Sequence, residues 1–287
     1  MNPEQFPHAT LVVLGHGTTL NEDSAAPVFQ QCAELRRRKL FFEVREAFWK
    51  QDPTVVGVLA SISAPDILIV PFFISEGYFS ENVIPQALGF CQEGRSEYIR
   101  VLQRGTQTLA YCRPVGTHDS MTMVLLNRAR QILEKFPFPR VPPWKETTLF
   151  IAGHGTGQNE DSRKVIERQA ELIRANKLYG EVRAVFLEEE PFIKDCYRTA
   201  PTKNVIVVPF FVSDGLHARQ DIPVLLGEPQ AAVKQRLEKG QPTWRNPTEK
   251  AGKLIWYAPS VGTDPKMADV IFERAREGAR WVSEFSH

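Results

Sequence analysis

The chain contains itself twice. A GHGT-x-x-NEDS element and a VPFF-x-S-[ED]-G-x₆-IP element each occur two times, in the same order and at the same spacing. LVVLGHGTTLNEDS from Leu11 answers LFIAGHGTGQNEDS from Leu149, and IVPFFISEGYFSENVIPQALG from Ile69 answers VVPFFVSDGLHARQDIPVLLG from Val207. His16 therefore aligns with His154, Pro71 with Pro209 and Pro85 with Pro223, with no gap between them. A period this long marks a duplicated domain, because solenoid repeats run to roughly 20–50 residues.

Within each copy, short β-branched or apolar runs alternate with amphipathic stretches, the pattern of βαβ units around a parallel sheet. In the second copy, Leu149–Ala152, Glu181–Leu187, Asn204–Val212 and Leu254–Ala258 read as strands. Between them, Asp161-Ser162 is expected to cap a helix carrying Val165, Ile166, Gln169, Leu172 and Ile173, which ends at Asn176–Gly180. Pro191–Thr199 is expected to form a second helix, Asp221–Pro223 to open a third, and Asp264–Glu284 to form the last. The first copy ends likewise, with a strand at Leu109–Val115 and a helix at Ser120–Leu133. The fold class is thus α/β, two tandem lobes each built on a parallel sheet of about four strands flanked by helices. Proline density in FPFPRVPPWKE, residues 136–146, forbids regular helix there and places the boundary. The expected partition is an N-terminal repeat 1–138, a linker 139–146 and a C-terminal repeat 147–287. The second copy's QRLEKGQPTWRNPTEKAGK is extra length, read as a surface excursion or lid.

Charge narrows the partners. With 35 basic against 34 acidic residues, nothing favours nucleic acid or a membrane surface. No apolar run approaches the roughly 20 residues that span a bilayer, and MNPEQFPHATLVVLGHG lacks the basic then apolar pattern of a secretory leader. Cys32, Cys91, Cys112 and Cys196 are widely spaced, form no C-x-x-C pair and do not recur between the copies. A reduced, cytoplasmic setting with cysteines as packing residues is the expectation.

In an open parallel sheet, ligands bind beyond the carboxyl ends of the strands. His16 and His154 each follow a first strand, and SEG or SDG follows the third, so both motifs converge on one rim. The bracketing glycines are expected to allow a sharp turn and a close ligand approach. A single histidine there serves folding or chemistry equally well. The copies differ, however: His217 in SDGLHARQDIP stands opposite Phe79 in SEGYFSENVIP. Only the second copy places two imidazoles on its rim, where they can bind a borderline divalent metal, or one can take a proton while the other holds the metal. FLEEEP adds Glu188, Glu189 and Glu190, which can ferry a cation, orient a histidine or simply be solvated; FWKQDP keeps only Asp52, opposite Glu190. Asp214 and Asp221 are similar candidates, Asp221 alternatively capping the third helix. Arg163, Lys164, Arg168 and Arg219, near helix N-termini, suit a polycarboxylate ligand or are solvated helix residues.

The glycine-bracketed histidine after the first strand, the E-P step after the second and VPFF-x-S-[ED]-G-x-H-x-x-x-D-I-P after the third together resemble the sirohydrochlorin chelatases of the CbiX type. These are class II, ATP-independent chelatases related to protoporphyrin ferrochelatase. The resemblance covers both halves, including the VGT turns at Val115 and Val261. It implies insertion of cobalt or ferrous iron, as substrate and without a nucleotide, into sirohydrochlorin during cobalamin or siroheme synthesis. It further implies that His154 and His217 form the metal site and assist removal of the pyrrole protons, while His16 has lost its partner to Phe79. The resemblance also implies a fused form, expected as a monomer with pseudo-twofold lobes that cradle the tetrapyrrole. Two other readings stay open: a noncatalytic tetrapyrrole- or metal-binding protein, and phosphoryl transfer through a phosphohistidine. The latter is disfavoured because Gly15 and Gly153 stand where a phosphate-binding arginine is wanted.

Overall fold

The computed structural model describes residues 4–18, 24–91, 98–155 and 160–285. The first copy runs β1 (Phe6–Gly15), α1 (Ala26–Arg38), β2 (Phe41–Phe48), α2 (Val55–Ser61), β3 (Asp66–Pro71), α3 (Ile84–Ala87), β4 (Val101–Arg104), β5 (Gln107–Tyr111) and α4 (Met121–Lys135). The second runs β6 (Thr147–Gly153), α5 (Glu160–Ala175), β7 (Glu181–Phe186), α6 (Cys196–Thr199), β8 (Asn204–Pro209), α7 (Ile222–Leu225), α8 (Gln230–Glu238), β9 (Thr248–Lys250), β10 (Lys253–Tyr257) and α9 (Met267–Phe285).

Each copy builds a sheet of five strands, ordered β2-β1-β3-β5-β4 and β7-β6-β8-β10-β9. Four strands of each run parallel, as expected, and a fifth pairs antiparallel at the edge, β4 on β5 and β9 on β10. The edge strands were not legible because they are short and half-exposed, without an apolar run to betray them. All seven residues of β6 are buried, so this strand is covered on both faces, as parallel sheets require. Each fully buried aliphatic or aromatic side chain there contributes about 1.5–3 kcal/mol relative to exposure. Two separate cores result, one around Leu14, Ile69, Phe90 and Tyr111, the other around Phe150, Val207, Trp244 and Ile255.

The compact units do not follow the sequence repeats. One comprises the residues up to His118 together with those from Pro265 onward, the other Asp119–Asp264. The expected cut at residues 138–146 separates the duplicated sequences, whereas packing sends each copy's last helix to the other copy's sheet: α9 lies on β3 and β5, α4 on β8 and β10. The reason is a reciprocal clamp. Arg274 of α9 donates to the Pro114 carbonyl (3.1 Å) and the Thr117 hydroxyl (2.7 Å) before and within the first VGT turn. Its equivalent, Arg128 of α4, donates to the Ser260 carbonyl (3.0 Å) and the Thr263 hydroxyl (2.5 Å) at the second. Gly278 lets α9 close on the sheet, since a Cβ there would stand 2.6 Å from Cys112 Sγ.

Other expectations shift locally. α5 already begins at Glu160, so Asp161 and Ser162 lie inside its first turn rather than capping it. The helix expected from Pro191 shrinks to a 3₁₀ turn at Ile193–Asp195 and the single turn of α6. The third helix begins before Asp221, as a π-helical turn over His217–Asp221 matched by one over Phe79–Val83. Nor is the extra segment of the second copy merely a lid: it supplies α8 and β9, and Trp244 is buried with its indole N–H donating to the Ile255 carbonyl. An indole of that size is worth burying wherever the sheet edge leaves room. Cys32, Cys112 and Cys196 are buried packing residues, Cys91 is exposed, and none is bridged. Among the described residues no helix is long and apolar enough to cross a membrane.

Candidate metal centre

The parallel strand order β7-β6-β8-β10 reverses direction between β6 and β8, a topological switch point where the loops leaving two neighbouring strands diverge and open a crevice. Gly153 is level with Phe186 on β7, and Ala152 with Pro209 on β8. His154 therefore emerges at the crevice as the sheet ends. Backbone amides of Leu187 (3.0 Å) and Glu188 (3.2 Å) bind the His154 carbonyl and fasten the β7 exit against it.

The flanking glycines serve this packing. A Cβ at Gly153 would stand 1.9 Å from Ile166 Cδ1 of α5, and one at Gly155, whose φ is +63°, would stand 2.7 Å from Glu189 Cγ. The expected ligand approach to the backbone is thus replaced by the approach of a helix and of a glutamate side chain.

His217 sits on the first residue of the π-helical turn, not on a loop. Its ring centroid lies 4.9 Å from that of His154, with the planes at 83°. The outward nitrogens follow from the inner hydrogen bonds. Asp221 Oδ2 lies 2.7 Å from His217 Nδ1, and the Gly155 carbonyl lies 3.3 Å from His154 Nδ1. Carboxylates and carbonyls only accept, so neutral rings carry their proton on Nδ1 and keep the Nε2 lone pair outward. His154 Nε2 also faces Glu188 Oε1 at 3.6 Å. Beside this group opens a cavity of about 300 Å³ lined by Glu188, His217, Asp221, Leu187, Val224 and Leu225. Among the described residues no group of three or more histidine, cysteine or carboxylate side chains is placed to hold a metal ion.

The remaining candidates are distributed around this pair. Glu189 turns inward, its Oε2 accepting from Arg163 Nη1 at 3.1 Å, its Oε1 buried without a hydrogen-bond partner among the described residues. Glu190 is exposed and lines a different cavity with Arg183 and Asp195, while its carbonyl holds Arg163 at 3.0 Å. Asp214 faces away, accepting from the Ser260 amide (2.7 Å) and the Thr263 hydroxyl (3.4 Å), so it stitches the SDG loop to the VGT turn. Arg163 is committed to Glu167 and Glu189, with its guanidinium over Phe186. Arg168 pairs with Asp119, and Lys164 reaches Asp161 at 4.0 Å. Arg219 is half-buried on the π turn, two residues beyond His217. The sequence offered Glu188, Glu189 and Glu190 together, and Asp221 either as a site residue or as a cap. The i, i+4 spacing of His217 and Asp221 was the available signal for their contact.

The first copy arranges the same scaffold differently. His16 follows β1, with Gly17 O 2.8 Å from its Nδ1, but its neighbour across the switch point is Phe79, centroids 4.9 Å apart and planes at 80°. Lys50 stands where the second copy has Glu188, its ammonium 5.1 Å from the Phe79 ring centroid.

A duplicated α/β scaffold with histidines at its switch point defines a chelatase-like protein, and comparisons with known proteins agree. The CbiX family model matches residues 10–132 and again 148–278. The chain belongs to the CbiX family. It is 37% identical to the "Probable sirohydrochlorin cobaltochelatase" of Halobacterium salinarum over 284 residues, covering 96% of this chain and 93% of that one. A crystal structure from Deinococcus radiodurans, described as a multi-domain protein similar to chelatases with two additional novel domains, matches with a TM-score of 0.75 and 27% identity. That match covers 94% of this chain but only 55% of the other. SirB from Bacillus subtilis with Fe3+ shares the fold at a TM-score of 0.66 and 15% identity, over 94% of this chain and 95% of that one.

Proposed function

We propose that this protein inserts a divalent metal, cobalt or ferrous iron, into sirohydrochlorin or a closely related tetrapyrrole, without a nucleotide, in the cytoplasmic synthesis of cobalamin or siroheme. The observation that carries the reading is the pair His154 and His217, 4.9 Å apart with both Nδ1 atoms occupied by acceptors, in a chain of this family. Two imidazoles bind a borderline cation without enclosing it, which suits an ion that must be handed on.

In this mechanism His154 and His217 present the metal on one face of the macrocycle. Forming bonds from the metal to all four ring nitrogens releases two N–H protons. Glu188, 3.6 Å from His154 Nε2, is the base within reach, joined by each imidazole Nε2 once the metal has left it for the ring nitrogens. Arg219, on the π turn two residues beyond His217, is a cation close enough to the histidine pair to meet a substrate carboxylate. The chain acts as a monomer in which the second copy does the chemistry.

The test is the absorption spectrum of sirohydrochlorin incubated with Co²⁺ or Fe²⁺. Wild type is expected to generate the metallated spectrum and His154→Ala to slow it by roughly 100-fold or more. Equal rates for the two proteins, or cobalt binding with no spectral change, would overturn the reading, the latter in favour of a noncatalytic binder.

A further inference from the structure

We infer that Asp221 is the positioning residue of the metal site, fixing the tautomer and rotation of His217 so that Nε2 faces the ion. This rests on the reading of His154 and His217 as metal ligands. His217 is half exposed, its side chain retaining 50% of its accessible surface, so packing alone does not hold the ring. The contact that does is Nδ1 to Asp221 Oδ2, 2.7 Å long and made within a single helical turn. A carboxylate accepts only, so it selects the Nδ1–H tautomer and fixes the ring's rotation, the usual service of a carboxylate behind a metal-bound histidine.

The rival role is absent. Asp221 occupies the position that precedes α7, yet its side chain caps no backbone amide. None needs it there, because the π turn runs straight into α7 and the Ile222 amide is already bonded to the His217 carbonyl. The first copy supplies the internal control. Its π turn Phe79–Val83 has the same length and place, but Phe79 stands for His217 and Val83 for Asp221. Where the histidine is lost the aspartate is lost with it, although the turn itself persists. All five residues of the turn differ between the copies and the turn persists, so its backbone does not depend on Asp221.

The test compares Asp221→Ala, Asp221→Asn and His217→Ala by Co²⁺ titration and by the kcat and metal KM of insertion. Asparagine keeps an acceptor, its Oδ1, for Nδ1–H. Asp221→Ala is expected to weaken Co²⁺ binding and raise the metal KM by about 10–100-fold. Asp221→Asn is expected to stay within about 3-fold of wild type, the smaller loss reflecting a neutral in place of a charged acceptor. The thermal unfolding midpoint serves as the folding control, since the Asp221 side chain is 43% exposed and its truncation leaves the core intact. Wild-type affinity in Asp221→Ala overturns the inference, and so does an Asp221→Asn variant as weak as Asp221→Ala. If His217→Ala itself binds Co²⁺ normally, the metal-site reading falls instead, and the two failures are told apart.

Discussion

The rims of the two sheets share a backbone and differ in the side chains set around one histidine. His16 and His154 leave equivalent strands, each with its Nδ1 beside the carbonyl of the following glycine, and each meets a ring across the switch point at 4.9 Å and close to perpendicular. In the first copy that ring is Phe79, the helix position behind it is Val83, and Lys50 replaces the carboxylate of Glu188. A lone pair, its orienting acceptor and a negative charge have all been exchanged for groups that repel a cation or ignore it. Duplication preserved the geometry that presents a histidine; on the proposed reading, competence for metal lies in what surrounds it.

The comparison can be broken outright by exchange of roles. Replacing His217 with alanine is expected to cost roughly 100-fold or more in insertion rate, whereas His16→Ala is expected to change it by less than about 3-fold. Comparable losses from both substitutions would show that the copies share the work. A sharper version transplants the differences. The triple variant Lys50→Glu, Phe79→His, Val83→Asp is expected to bind a second equivalent of Co²⁺, roughly 10–100-fold more weakly than the native site because its outer shell is untuned. Isothermal titration reads the stoichiometry, and a single equivalent in the folded triple variant would mean that the three positions are insufficient.

A smaller effect separates the clamps behind the rims. Arg274 pairs with Glu277, which also meets His118 at 3.5 Å, whereas the equivalent Arg128 reaches the neutral Gln131 at that position and has its ion pair, at 3.5 Å, with the buried Asp264. Burial raises the Glu277 carboxyl, but hydrogen bonds from His118 and Arg274 outweigh it and pull the value down to about 2. A carboxylate depressed in the folded state stabilises above its ordinary value near 4.5 and loses that contribution as pH falls toward 2. Glu277→Gln, which makes the first clamp resemble the second, is therefore expected to lower Tm by about 1–3 °C at pH 7, a difference that shrinks as pH falls from 5 to 3. A Tm difference independent of pH would remove the charge from the account.

Much of this was legible from residues alone, for reasons that differ by element. The duplication, the parallel strands and the pairing of His154 with His217 follow from motifs at strand ends, where pattern and position coincide. The helix exchange was not legible, because α4 and α9 carry apolar faces that suit either sheet, and the deciding contacts, Arg128 and Arg274 on the VGT turns, join residues far apart in sequence. The choice among Glu188, Glu189 and Glu190 was equally hidden. Three successive glutamates at a strand exit look alike until the backbone turns one toward His154, one under Gly155 and one outward.

The central claim is that one rim of two handles metal. Its most direct test is the position of cobalt in crystals of the wild-type protein soaked with Co²⁺, located by anomalous scattering. The account predicts one ion, bonded to Nε2 of His154 and of His217; an ion at His16 with none between those two histidines would contradict it.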